Sequence, residues 1–378
     1  MLATTVIKKK SLDFGLLIVV LLLMMFGVVM VFSASYYDTI TEMSNPYYYL
    51  LRVLIWFVAG LVLMFTMSAI PYQAYYKLAP AILIICITLL LLLWTPLGKE
   101  VGGATRWLNF RIATFMPSEV GKIGVIIFVA WYYTKYAKYT RTLMRGVVPI
   151  LLLTGVFFLL IYIQPNLSTA IIICGIIIGM MFVAGIKWSH FIGLMAAGIT
   201  AVILLIFSKG GFHMQRIMSF LDPFADPQGS SYQVIQSLLA LAAGGVFGTG
   251  PGNSIQKAQY LPEAQNDFIF AIIGEEYGFV GCLVVLGVYI VLIWKGAMIA
   301  INAANKFGMM LAAGITILFA LQVIMNVAVV TSLMPPTGVI LPFISYGGNA
   351  MLVFAAAAGI LLNISRYKKE EVKEAKEE

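Results

Sequence analysis

The chain has 378 residues, of which 61% are hydrophobic and 11% charged, with a net charge of +8. Soluble domains carry roughly 45–50% apolar and about 25% charged residues, so a soluble fold is excluded and an all-α polytopic membrane protein is expected. At about 20 residues per crossing the length allows about ten spans and no sizeable soluble domain. No basic, aromatic-interleaved patch points to nucleic acid.

In chain order, apolar segments fall at 14–34, 50–69, 78–95, 117–134, 147–163, 167–186, 190–207, 267–294, 307–331 and 342–364. They predict ten transmembrane helices in one membrane domain. The bundle covers 14–364, a large outer loop lies at 208–266 between helices 7 and 8, and 365–378 is a charged tail. The first segment follows Lys8, Lys9 and Lys10, but it is long and no A-x-A-type cleavage site follows, so it reads as a retained span.

An even number of crossings returns both termini to one side. On that topology sixteen of the 24 Lys and Arg lie on the side of the termini and seven on the other, with Lys122 inside a span. The positive-inside rule then places both termini in the cytoplasm of a multi-pass cell-membrane protein. The inner loops are too short for a nucleotide-binding domain, and no G-x-x-x-x-G-K-[ST] occurs. Cys86, Cys174 and Cys282 sit in apolar runs and read as small buried hydrophobes, while His190 and His213 are too isolated for a metal cluster.

The polar residues crowd the outer side. In "GGATRWLNFRIATFMPSEVGK", Arg106 stands beside Trp107, Pro117 opens a helix with Glu119 in its first turn, and Lys122 follows one turn deeper. An ammonium inside a span costs about 2.5–3.5 kcal/mol on insertion scales, so Lys122 needs a partner, and Glu119 at i−3 is placed to be one. "QPNLSTA" (164–170) is a tight outer turn whose polar atoms line a cavity or satisfy the turn itself. In the large loop, Leu221-Asp222-Pro223 and Asp226-Pro227 read as turns. Val234 to Ala243 reads as a short amphipathic helix on the membrane, and glycines 244, 245, 248, 250 and 252 as flexible turns.

"LPEAQNDFIFAIIGEE" (261–276) holds four of the eleven acids outside the tail. A helix started by Pro262 would set Glu263 and Asp267 on one face at i and i+4, at the mouth of a span. Glu275 and Glu276 lie deeper and on other faces, suited to holding helices together. A carboxylate at such an edge has its pKa raised by desolvation and lowered by nearby cations, so it can be ionised and still basic enough to take a proton.

"FSAS", "GGATRWL", "PSEVGK", "FLDPFADPQGSSYQVIQSLLA", "LPEAQNDFIFAIIGEEYGFVG" and "PPTGVILPFISYGGNA", in this order and across nearly the whole chain, resemble the SEDS family (shape, elongation, division and sporulation). This is the family of FtsW, RodA and SpoVE, and "LPEA" with "FLDP" leans toward the FtsW/SpoVE branch. The resemblance implies ten membrane helices and a peptidoglycan glycosyltransferase that polymerises lipid II at the outer membrane face. It also implies a class B penicillin-binding protein transpeptidase as partner, together with other division or sporulation proteins. The family's essential acid falls on Asp267, with Glu263 in support. Arg106, Trp107, Glu119, Lys122, Arg216, Lys257 and Ser345 are the substrate-binding candidates. The chain departs at "QPN", where the family has "QPD", so Asn166 and Ser168 carry no charged role.

A donor linked through a pyrophosphate is already activated, so one carboxylate acting as general base on the acceptor hydroxyl suffices, and Asp267 is the choice for it. Arg106, Lys122, Arg216 and Lys257 are placed to stabilise the leaving pyrophosphate. No cofactor is required by the residues; a divalent cation (Mg or Mn) bridging the pyrophosphate and one carboxylate is compatible with them. A lipid II flippase should instead line both leaflets with polar groups and show inverted repeats, and a non-catalytic scaffold would have no use for Asp267 at a membrane edge.

Overall fold

Helices of membrane-crossing length follow one another along the chain, and a computed structural model describes residues 11–42, 45, 47–101, 103–109, 114–208, 220, 222, 226–227, 229 and 231–367. They are α1 (Phe14–Glu42), α2 (Tyr48–Ala69), α3 (Gln73–Leu91), α4 (Pro117–Lys135), α5 (Val148–Tyr162), α6 (Leu167–Ala184) and α7 (Trp188–Ser208). The short α8 (Tyr232–Gly244) then precedes α9 (Ile269–Ile301), α10 (Lys306–Val330) and α11 (Gly348–Ser365). Among the described residues, eight of these are long and apolar enough to span a membrane. α4, which carries Glu119 and Lys122, and the 21-residue α7 stand where the other two of the ten crossings are expected. Arg216, Leu221, Pro223 and the tail from residue 368 lie outside the described residues.

The core is built on α4, α10 and α11. α10 packs against α4, α6 and α9, and α2 lies along α11. The run Ala355-Ala356-Ala357-Ala358-Gly359 explains that last contact, since small side chains let two backbones approach. A Cβ on Gly359 would stand 2.3 Å from the Met64 carbonyl oxygen. The two described ends of the chain meet, with the Asp13 amide donating to Ser365 Oγ at 3.1 Å. Asp13 also pairs with Lys295 of α9 at 3.2 Å.

Three local readings need correction. The loop after α3 carries a three-stranded antiparallel sheet, β1 (Gly98–Val101), β2 (Ala104–Asn109) and β3 (Thr114–Phe115), in the order β1-β2-β3. Gly103, at φ +74, makes the turn between the first two strands. The strands are too short for alternation to announce them. α8 does not lie on the membrane surface alone: Val234, Ile235, Ser237 and Ala240 are buried, and Ser237 donates to the Val330 carbonyl at 2.8 Å. The last helix begins at Gly348, six residues into its apolar run.

The glycine run that follows α8 is not a flexible turn. α9 breaks at Gly278 (φ +67), which frees backbone groups that lipid cannot satisfy. The loop takes them up. Thr249 and Gly250 amides donate to the Glu275 and Glu276 carbonyls at 2.9 and 3.0 Å, and the Phe279 and Val280 amides donate to the Gly245 and Val246 carbonyls at 2.9 and 3.1 Å. Gly248 (φ +84) has no room for a side chain, because a Cβ there would stand 2.2 Å from the Glu276 carbonyl oxygen. Gly248→Ala is therefore expected to destabilise the fold by about 1–3 kcal/mol, the cost of forcing an alanine into left-handed backbone, read as a lowered unfolding midpoint in detergent. An unchanged midpoint would show that the loop does not need this conformation.

Candidate active site

Four segments converge at the end of the bundle opposite the two chain ends: the β-sheet, the α5–α6 turn, the loop entering α9 and the segment between α10 and α11. Arg106 of β2 ties the first to the second. Its Nε donates to the Gln164 carbonyl at 3.4 Å and its Nη2 to the Pro165 carbonyl. Partial burial draws this guanidinium below its ordinary pKa, although an arginine stays charged. Trp107, half-buried, is opposite Lys99 in the sheet. Asn166 caps α6 by accepting from the Thr169 amide at 3.3 Å, and Ser168 donates to the Thr337 carbonyl, joining the turn to the α10–α11 segment.

Asp267 lies just ahead of α9, not within a helix. Residues 255–268 form successive turns, and Glu263 has left-handed backbone (φ +53), which no helix started by Pro262 could contain. The expected i, i+4 face is therefore absent. Glu263 is exposed, its Oε2 accepting from Asn266 Nδ2 at 2.5 Å, while Asp267 is half-buried.

Asp267 is held through its backbone. Asn326, fully buried in α10, donates to the Asp267 and Val339 carbonyls, each at 2.7 Å, so one side-chain amide clamps both loops. Between them sits Gly338 (φ +69), where a Cβ would stand 3.7 Å from Asp267 Oδ2. The Tyr346 amide donates to the Gln265 carbonyl at 2.8 Å, and buried Ser345 Oγ accepts from the Leu341 amide at 2.8 Å, closing the turn beneath. On the segments that converge here and on α4, Gln265 Oε1, Asn326 Oδ1, Thr337 Oγ1, Asn166 Nδ2 and Glu119 Oε2 are buried with no hydrogen-bond partner among the described residues. Such atoms call for water or a polar ligand.

The remaining acids and cations divide into two groups. Lys122 Nζ and Glu119 Oε1 form a buried pair at 2.8 Å, the partnership the spacing predicts, with the ammonium 5.7 Å from the Phe354 ring centroid. Lys257 is instead drawn into the fold: its Nζ lies 2.7 Å from Glu276 Oε1 and 2.9 Å from Ser33 Oγ, and its side chain is 3% exposed. Glu275 accepts from the Ile255 amide at 2.8 Å and from Ser254 Oγ. Glu275 and Glu276 were expected to hold helices together; both fasten the loop 254–257 to α9, and Glu276 alone also joins two helices, by accepting from Ser33 of α1. Among the described residues, no group of three or more His, Cys, Asp or Glu gathers as metal ligands.

Asn326 escaped the motif reading because no signature surrounds it. Its signal was thermodynamic: Gln322 and Asn326 are amides inside a 25-residue apolar helix, and intramembrane polar side chains mark functional positions.

Residues 14–370 match the sequence model of the FtsW/RodA/SpoVE family, described as cell cycle protein. The chain is 39% identical over 363 residues to stage V sporulation protein E of Bacillus subtilis (strain 168), covering 96% of this chain and 99% of that protein. It is 37% identical over 341 residues to a probable peptidoglycan glycosyltransferase FtsW of Geobacter sp. (strain M18), covering 90% and 93%. Its fold is similar, with a TM-score of 0.78 at 26% identity, to a chain from a structure of a peptidoglycan synthase complex that coordinates polymerization and crosslinking, covering 94% of this chain and 98% of that one.

Proposed function

The chain belongs to the FtsW/RodA/SpoVE family, and from that premise we propose that it is a peptidoglycan glycosyltransferase polymerising lipid II, with Asp267 as its general base. The observation that carries this reading is Asp267, its backbone carbonyl clamped by Asn326 and its carboxylate beside Gly338, at the polar end of an otherwise apolar bundle. The acceptor sugar hydroxyl loses its proton to Asp267 as its oxygen bonds to the anomeric carbon of the donor. The bond from that carbon to the pyrophosphate breaks, and the polyprenyl pyrophosphate leaves with the electron pair. Lys122 and Arg106, both at this end, can balance the departing charge. A magnesium or manganese ion would add Lewis-acid stabilisation of that leaving group. Asp267 or Glu263 would supply one ligand and the pyrophosphate others, as such ions commonly bind.

Asn326→Ala should remove the clamp and let Asp267 drift. A misplacement of about 1 Å costs about 10² in rate, so polymerisation should fall by that order while lipid II binding changes little. A rate within twofold of the parent would show that Asp267 does not depend on Asn326.

The site faces outward if both termini are cytoplasmic, as the charge asymmetry favours. In a background lacking Cys86, Cys174 and Cys282, Asn253→Cys should label from outside intact cells and Thr142→Cys should not. The reverse pattern would place the site on the wrong side for an exported substrate.

The partner in this reading is a class B penicillin-binding protein, since the described fold has no soluble domain for a substrate peptide. Purified chain supplied with lipid II should form polymer, and the cognate transpeptidase should raise the rate. Full activity in preparations free of any such protein would exclude an obligate activator.

A further inference from the structure

We propose that the bundle end opposite the active site binds one anionic glycerophospholipid in the cleft between α7 and the α4–α5 connection. The cleft has a volume of about 500 Å³ and is lined by Arg141, Phe182, Gly185, Ile186, Lys187, Trp188 and Phe191. That is a ligand-sized cavity. Arg141 comes from the α4–α5 connection and Lys187 from the α6–α7 turn, so two separate segments aim cations at one space. Among the described residues neither has a carboxylate within 4.0 Å, whereas Lys122, Lys257 and Lys295 are each ion-paired.

Below the cations the wall is aromatic. Phe182, Trp188 and Phe191 pack together with ring centroids 5.2–6.0 Å apart, yet Trp188 is 66% and Phe182 48% exposed. The described side chains of α7, in its first half, are exposed or half-buried, so this part of the helix leaves apolar surface open to a lipid. A phosphate at the mouth and acyl chains along Phe182, Phe191 and Ile192 satisfy both halves of the cleft. A soluble anion would leave the aromatic half uncovered, and an uncharged lipid would leave both cations unpaired. Cationic side chains near a bilayer surface favour anionic lipid by about 1 kcal/mol each.

Trp188 supplies the probe. The full chain is placed in phosphatidylcholine vesicles containing a small fraction of dibrominated phosphatidylglycerol or of dibrominated phosphatidylcholine, at constant ionic strength. The quenching assigned to Trp188 is the difference between the parent and Trp188→Phe. It should show a preference for phosphatidylglycerol of about thirtyfold, the factor expected from two cations. Arg141→Gln with Lys187→Gln should abolish that preference without moving the unfolding midpoint, and Arg141→Lys with Lys187→Arg should keep it. Equal quenching by the two lipids in the parent overturns the proposal, as does a preference that survives the double glutamine variant. Loss of the preference on adding inorganic phosphate would also overturn it, because the cleft would then be a site for the free anion.

Discussion

Asp267→Asn is expected to lower the rate of glycan polymerisation by about 10²–10⁴, the usual contribution of a general base, while the chain inserts and folds as before. The reasoning is local. Asparagine keeps the size of the side chain and leaves the backbone carbonyl that Asn326 grips at 2.7 Å, so the loop should hold its place. What is lost is the ability to accept the proton of the attacking hydroxyl. An amide at this depth also costs less than a carboxylate, so expression should not suffer. Asp267→Glu shifts the carboxylate by roughly one bond length, enough to cost about 10², and should be partly active. Glu263→Gln should cost less than Asp267→Asn, because Glu263 is exposed and engaged with Asn266. Matched expression with a polymerisation assay on purified lipid II reads all three. An Asp267→Asn rate close to the parent would remove Asp267 from the chemistry.

Lys257→Met is expected to be the most damaging substitution for stability, by about 3–5 kcal/mol. It leaves Glu276 buried and charged without its partner. Glu276 is 1% exposed and accepts from Ser33 as well as Lys257, so removal of the lysine strands a carboxylate between α1, α9 and the loop. The glycine loop that completes the broken α9 should loosen with it. Lys257→Met combined with Glu276→Leu should recover most of the loss, since an apolar pair of similar volume has no desolvation cost. Thermal unfolding in detergent distinguishes the two variants. If the single variant melts with the parent, the ion pair contributes nothing to holding the loop.

Hydropathy made the crossings legible because a membrane imposes one length and one composition on every span. Asp267 stood out for the same reason: a carboxylate beside lipid is costly enough to need a use. The Glu119–Lys122 pair was legible too, because i and i+3 on a helix are neighbours. What escaped depended on partners distant in sequence. The break at Gly278 could not be seen because a single glycine inside a helical run is tolerated, and its completion by residues 245–250 is a tertiary event. Lys257 reads in the sequence as a cation for the leaving pyrophosphate because its partners, Ser33 and Glu276, lie 224 and 19 residues away. Pro262 is a fair helix starter in isolation, but the contacts of Gln265 and Asp267 with the α10–α11 segment and Asn326 hold that stretch in turns. The small sheet at 98–115 is too short to carry a periodic signal.

Polymerisation and transport of the same lipid differ in one bond, and that bond can be counted. Purified chain with its transpeptidase partner, supplied with lipid II in vesicles, should release one polyprenyl pyrophosphate for each glycosidic bond formed, and Asp267→Asn should release almost none. Movement of lipid II between leaflets at the parental rate, with no pyrophosphate released and no glycan formed, would contradict the assignment.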